Sequence, residues 1–97
     1  MQTVRNLGDI SFDNSFCQGK IVAQFSVLSD LFGRPFEPVD AKVDTEWALE
    51  FEDNDGTRIP ATIYSWKGSA QDGGSIWHVG GYDRRAYEMV ARFVGGI

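Results

Sequence analysis

Ninety-seven residues, 42% hydrophobic and 13% aromatic, are enough for one domain with a single modest core and argue against a disordered chain. A net charge of −5 and a pI near 4.6 disfavour a general nucleic-acid binder, which presents a basic face, although the same charge is common among ordinary soluble proteins. Apolar runs are too short to span a bilayer and the N-terminus lacks a signal-peptide pattern. Cys17 is the only cysteine, so no internal disulfide forms, and the expected setting is reducing and cytoplasmic.

In chain order, residues 1–13 leave two readings open. Thr3-Val4 and Ile10-Ser11-Phe12 form short strands around a Gly8-Asp9 turn, or the segment is an arm that orders against a partner. Over residues 15–24, Cys17, Gly19, Ile21 and Ala23 alternate with Gln18, Lys20 and Val22, which predicts a strand; Gly19 inside it predicts a bulge or a close approach by another segment. Ser26 to Gly33 reads as a short helix with Ser26 as N-cap and Val27, Leu28, Leu31 and Phe32 as its packed face. Gly33 ends it and Pro35 prevents its resumption. A Pro-punctuated connection covers residues 34–41.

The stretch from Lys42 to Val79 predicts a three-stranded antiparallel meander: Lys42–Glu52, Thr57–Lys67 and Ser75–Val79. It carries all three tryptophans and the only histidine. In its first strand Val43, Thr45, Trp47, Leu49 and Phe51 share one face, while Asp44, Glu46, Ala48, Glu50 and Glu52 share the other, acidic one. Asp53-Asn54-Asp55-Gly56 has the composition of a hairpin turn. In the second strand Ala61 and Ile63 point one way and Thr62, Tyr64 and Trp66 the other, with Pro60 expected at the strand's start or at an edge. Residues 68–75 read as an exposed loop, with closure over a ligand as the other reading. The last element is a helix from about Asp83 to Val94, capped by Asp83, with Ala86, Met89, Val90 and Phe93 inward. The order β-α-β-β-β-α, with an extra N-terminal strand as an option, predicts an α+β fold: a single two-layer domain over residues 1–97 with two helices on one face of an antiparallel sheet.

That arrangement leaves the other sheet face for solvent, a partner, or a cover formed by loop 68–75 or the N-terminal arm. Parity puts Thr62, Tyr64, Trp66, Glu46, Glu50 and Gln18 there, with Lys20 nearby and His78 joining if Trp77 points inward. Aromatic rings on an open face suit a protein or ligand contact surface. A second candidate is the run His78-Val79-Gly80-Gly81-Tyr82-Asp83-Arg84-Arg85. Amides at a helix start and adjacent arginines attract anions, so Gly80, Gly81, Arg84 and Arg85 with Trp77 as a stacking ring would suit a phosphate-containing nucleotide. No phosphate-loop or dinucleotide fingerprint supports it, and glycines that only turn the chain beside solvated arginines are the plainer reading.

Cys17 and His78 are a conceivable nucleophile–base pair, but no third orienting group or flanking signature accompanies them, and a small buried cysteine is the commoner case. One histidine and one cysteine make no structural zinc site, and the carboxylates follow no calcium-loop pattern, so neither metal nor cofactor is expected. Asp44, Glu46, Glu50, Glu52, Asp53 and Asp55 form an acidic cluster that suits a basic groove on a partner or, more simply, a solvated strand face.

Several segments in order resemble a group of small bacteriophage and prophage proteins of uncharacterised activity: Phe32-Gly33-Arg34-Pro35, Lys42-Val43 with Glu46-Trp47, Ala61-Thr62-Ile63-Tyr64-Ser65-Trp66-Lys67, and Trp77-His78-Val79-Gly80-Gly81. The resemblance covers about residues 17–90 and departs from the group at the hairpin tip, where the turn is longer. It implies an accessory protein made in the host bacterial cytoplasm. The expectation is a non-enzymatic inhibitor of a host defence factor, of the anti-CRISPR or another anti-defence kind, working through Glu46, Glu50, Tyr64, Trp66 and His78. The alternative is a sponge for a nucleotide immune signal, for which an oligomer with sites between subunits is expected. Neither reading involves direct nucleic-acid or membrane binding.

Overall fold

The computed structural model describes residues 3–8, 12, 15–35, 43–66 and 76–95, with the backbone alone at Val43, Asp44 and Trp66. The elements are β1 (Thr3–Asn6), β2 (Phe16–Val22), α1 (Phe25–Phe32), β3 (Val43–Glu52), β4 (Arg58–Trp66), β5 (Ile76–Gly81) and α2 (Arg84–Val94). The strands form one five-stranded antiparallel sheet in the order β1-β3-β4-β5-β2. The predicted meander is therefore its centre, and the N-terminal strands flank it at both edges. Ile10 and Ser11, the other half of the expected N-terminal pairing, and loop 68–75 lie outside the described residues.

Alternation sorts the sheet into two faces. Trp47, Leu49, Phe51, Ile59, Ala61, Ile63, Trp77, Val79 and Ile21 are buried on one, together with Leu28 and Phe32 of α1 and Ala86, Met89 and Val90 of α2. Both helices thus cover the same face, as the pattern predicts. Burying a large apolar side chain contributes roughly 1.5–3 kcal/mol, so this layer supplies most of the driving force. The aromatic members interlock edge to face: Trp47 and Trp77 lie 5.3 Å apart at 69°, and Phe32 and Phe51 lie 6.1 Å apart at 86°.

Helix α1 departs from expectation at two points. It begins at Phe25 with Gln24 in the N-cap position and no side-chain cap, so Ser26 lies in the first turn. The reason is tertiary: the Phe25 ring packs 5.6 Å from Trp47 and 6.4 Å from Trp77, and the helix must include it. Of the four-residue stripe, Leu28 and Phe32 are buried, whereas Val27 and Leu31 remain 39% and 38% exposed. Two apolar rows side by side on a helix look alike in sequence, and only one meets the sheet. Helix α2 follows the sequence closely: the Asp83 carboxylate accepts from the Arg85 amide, and Gly95 ends the helix at φ 138°.

The hairpin between β3 and β4 closes through the Asp53 amide to the Thr57 carbonyl, with Gly56 at φ 85°. Pro60 is the third residue of β4, not the first. It is tolerated because β5 pairing starts only at Ala61, opposite Gly81, leaving Pro60 with the single neighbour Glu50. The register slips once between Val43 and Thr45, which sets Val43 opposite Trp66 and ends the alternation expected for the start of β3. At the end of β5, Gly81 lies tight beneath α2: a Cβ there would collide with Ala86 Cβ and stand 3.2 Å from the Pro60 carbonyl oxygen. Gly81→Ala is therefore expected to destabilise the protein by about 1–3 kcal/mol through overpacking, read as a lower urea midpoint with unchanged slope.

Candidate functional site

Neither helix lies on the second sheet face, and the register assigns its residues row by row. Glu46 pairs with Tyr64, Tyr64 with His78, and His78 with Lys20. A single row thus crosses β3, β4, β5 and β2, with a carboxylate at one end, an ammonium at the other and two rings between. The rings stack, with centroids 5.3 Å apart and planes 18° from parallel. The next row, Ala48, Thr62, Gly80 and Cys17, is made of small residues. Ala48 and Thr62 are 0% and 5% exposed although they point to this face. Their neighbours across this face are the Glu46–Tyr64–His78 row and the Glu50–Pro60 pair, and the Leu7 amide donates to the Ala48 carbonyl beside them.

The expected contact residues separate accordingly. Glu46, Tyr64 and His78 come together. Glu50 is on the same face but bonded to Arg5 at 3.0 Å, an exposed pair worth about 0–1 kcal/mol. The Trp66 side chain lies outside the described residues. Gln18 is the extra residue of a bulge between Cys17 and Gly19, and its amide donates to the Gly81 and Phe16 carbonyls.

The same bulge corrects the reading of Cys17. Simple alternation puts it with Gly19 and Ile21 on the helix-covered face. The extra residue instead sets it opposite Gly80, on the face of His78, and leaves it exposed rather than buried. Its Sγ lies 3.9 Å from His78 Nδ1. Gly19 carried the signal in the sequence, as both the bulge and the close approach occur there; a Cβ at Gly19 would meet the Tyr87 ring of α2 at 2.6 Å.

Electrostatics follow from this packing. Tyr64 is pushed up to about 12 by desolvation and by the adjacent Cys17 and Glu46, so its phenol stays protonated at neutral pH. His78 is lowered from 6.5 by desolvation and by the Lys20 charge, which favours the neutral imidazole. The acidic cluster is partly engaged in structure: the Asp53 carboxylate accepts from the Asn54 amide and that of Asp55 from the Thr57 amide. Asp55 is held below its usual range by those Thr57 contacts.

Among the described residues, the ring expected for the nucleotide-type site is not presented. Trp77 is buried in the core, its indole N–H donating to the Ala23 carbonyl, so its ring is not presented for stacking. Gly80 and Gly81 are packed against Thr62 and Ala86. The α2 start is capped by the Asp83 carboxylate, and Arg84 and Arg85 lie 3.9 Å and 4.0 Å from Glu88 and Asp83. An incoming anion meets carboxylates there. Among the described residues no group of three or more His, Cys, Asp or Glu could hold a metal ion, and no helix is long and apolar enough to cross a membrane. Comparison of the chain with family models, curated proteins and solved structures finds no match.

Two titrations check the site. A phenolate absorbance titration should show a step at about 12 that Tyr64→Phe removes. Because the folded value exceeds the unfolded one, the associated stability is intact below pH 10 and is lost as pH rises toward about 12, a loss absent from the variant. NMR of the single imidazole should place His78 below 6.5, moving back up in Lys20→Gln. Here the folded value is depressed, so the linked stability is present above 6.5 and is lost as pH falls.

Proposed function

We propose that this chain is a non-catalytic binding protein whose helix-free sheet face contacts a protein partner. The observation that carries the reading is the Glu46–Tyr64–His78–Lys20 row, in which two stacked, half-buried rings lie between opposite charges. Planar amphipathic rings give large contact area at little conformational cost, and flanking charges fix orientation and exclude wrong partners. The resemblance to bacteriophage proteins makes a bacterial defence component the proposed partner, with inhibition by occupation of its working surface as the mode of action. Glu46, Tyr64 and His78 form the centre of the contact and Glu50 its rim. Trp66 is retained among the proposed contact residues on the sequence alternation alone. The nucleotide-sponge alternative loses support from the buried Trp77 and the carboxylates around Arg84 and Arg85.

The test is affinity capture from bacterial lysate with mass spectrometry of proteins and small molecules, followed by binding measurements on the purified partner. Glu46→Arg with Tyr64→Ala should weaken binding by about thirtyfold or more, the scale of a contact hot spot. Arg84→Ala with Arg85→Ala should leave it unchanged. Binding that survives the first pair and fails with the second would overturn the assignment.

A further inference from the structure

The bulge in β2 makes a contact that binding does not require. It turns Cys17 onto the helix-free face and sets its sulfur 3.9 Å from His78 Nδ1. The residue opposite Cys17 is Gly80, which has no side chain to stand over the thiol, and Cys17 is exposed. Lys20 is the cross-strand neighbour of His78, and the Tyr64 ring stacks on the imidazole. The Tyr64 phenol also neighbours Cys17 and stays protonated, so it can donate toward the sulfur. A thiol thus lies beside a proton acceptor and a neutral donor, in a row that Lys20 ends beside His78 and Glu46 ends beside Tyr64.

We propose that Cys17 and His78 form a thiol–imidazole pair that makes Cys17 a site of thiol–disulfide exchange with low-molecular-weight disulfides of the glutathione type. In the tautomer with the proton on Nε2, the Nδ1 lone pair takes the thiol proton. The Cys17 sulfur then attacks one sulfur of the disulfide. The Cys17–S–S–R bond forms as the RS–SR bond breaks, and the departing thiolate takes the proton back from His78 and leaves as RSH. Cys17 is oxidised, the leaving sulfur is reduced, and no other reagent is needed. The adduct would stand on the Glu46–Tyr64–His78–Lys20 row, so the exchange covers that surface reversibly. The chemistry at Cys17 is independent of whether a protein partner docks there.

The experiment exposes the full folded chain to oxidised glutathione at neutral pH and follows the mixed disulfide by intact-mass spectrometry. N-acetylcysteine amide serves as the unassisted thiol. The protein should react about tenfold faster or more, as expected for a thiol with a positioned base, and dithiothreitol should reverse the adduct. Cys17→Ser should give no adduct. His78→Gln should bring the rate down to that of the small thiol, and Lys20→Glu, at an exposed edge position, should slow it severalfold. A wild-type rate equal to or below that of N-acetylcysteine amide overturns the proposal whether or not His78→Gln folds, and so does an unchanged rate in folded His78→Gln.

Discussion

Two indole N–H groups hold the architecture in register. Trp47 donates to the Gly33 carbonyl at 2.8 Å and Trp77 to the Ala23 carbonyl at 2.9 Å. These carbonyls flank α1, one just before it and one just after. The two rings meet edge to face, so the pair acts as a clasp on adjacent parts of the sheet that grips the helix at both ends. Each bond satisfies a donor that would otherwise be buried at a penalty of about 1–3 kcal/mol. Asn6 adds to this clasp from β1, its side-chain amide donating to the Phe32 and Arg34 carbonyls. With α1 fixed, Phe32 meets Phe51 and Phe93, and α2 closes the rest of the layer.

Because one face is committed to that clasp, the register of every strand is strongly determined. A one-residue slip would exchange Trp47, Ile63 and Trp77 for Glu46, Tyr64 and His78. The protein departs from strict alternation inside β2, where the slip is local and Gly19 makes room for the Tyr87 ring. The residues beyond the bulge, Lys20 to Val22, keep the pairing that the core demands. Those before it are turned to the opposite face. An edge strand can accommodate this, since only one neighbour must be satisfied, and the bulge with Lys20 also discourages pairing with another chain.

Most of the layer structure was legible from residue periodicity. The β3–β5 alternation, the Asp83 cap, the Gly56 turn and the burial of Trp47, Leu49, Phe51 and Ile63 follow from local patterns whose physical causes act within a few residues. What was not legible depends on distant partners. The start of α1 is set by Phe25 reaching Trp47 and Trp77, not by the hydroxyl of Ser26. The choice between the Leu28–Phe32 row and the Val27–Leu31 row depends on where the sheet lies. The position of Cys17 was hidden for a related reason: parity counts residues, and a bulge adds one without announcing which side chains it turns. Gly19 marked the place, and the pairing with Gly80 supplied the direction.

The helix-free face is consequently less uniform than an acidic strand would make it. Glu50 is paired with Arg5, Asp53 and Asp55 serve the hairpin, and Glu46 is the carboxylate that ends the ring-bearing row. Lys20 ends it on the other side. A row with opposite charges at its ends and rings in the middle has a direction, so a partner can dock on it in one orientation and is repelled in the reverse. The small residues beside it, Ala48 and Thr62, are buried. The polarity of the row is not needed to hold the helices on the other side. Residues that the core does not require, yet that are arranged across four strands in one line, are where selection for contact rather than for folding would act.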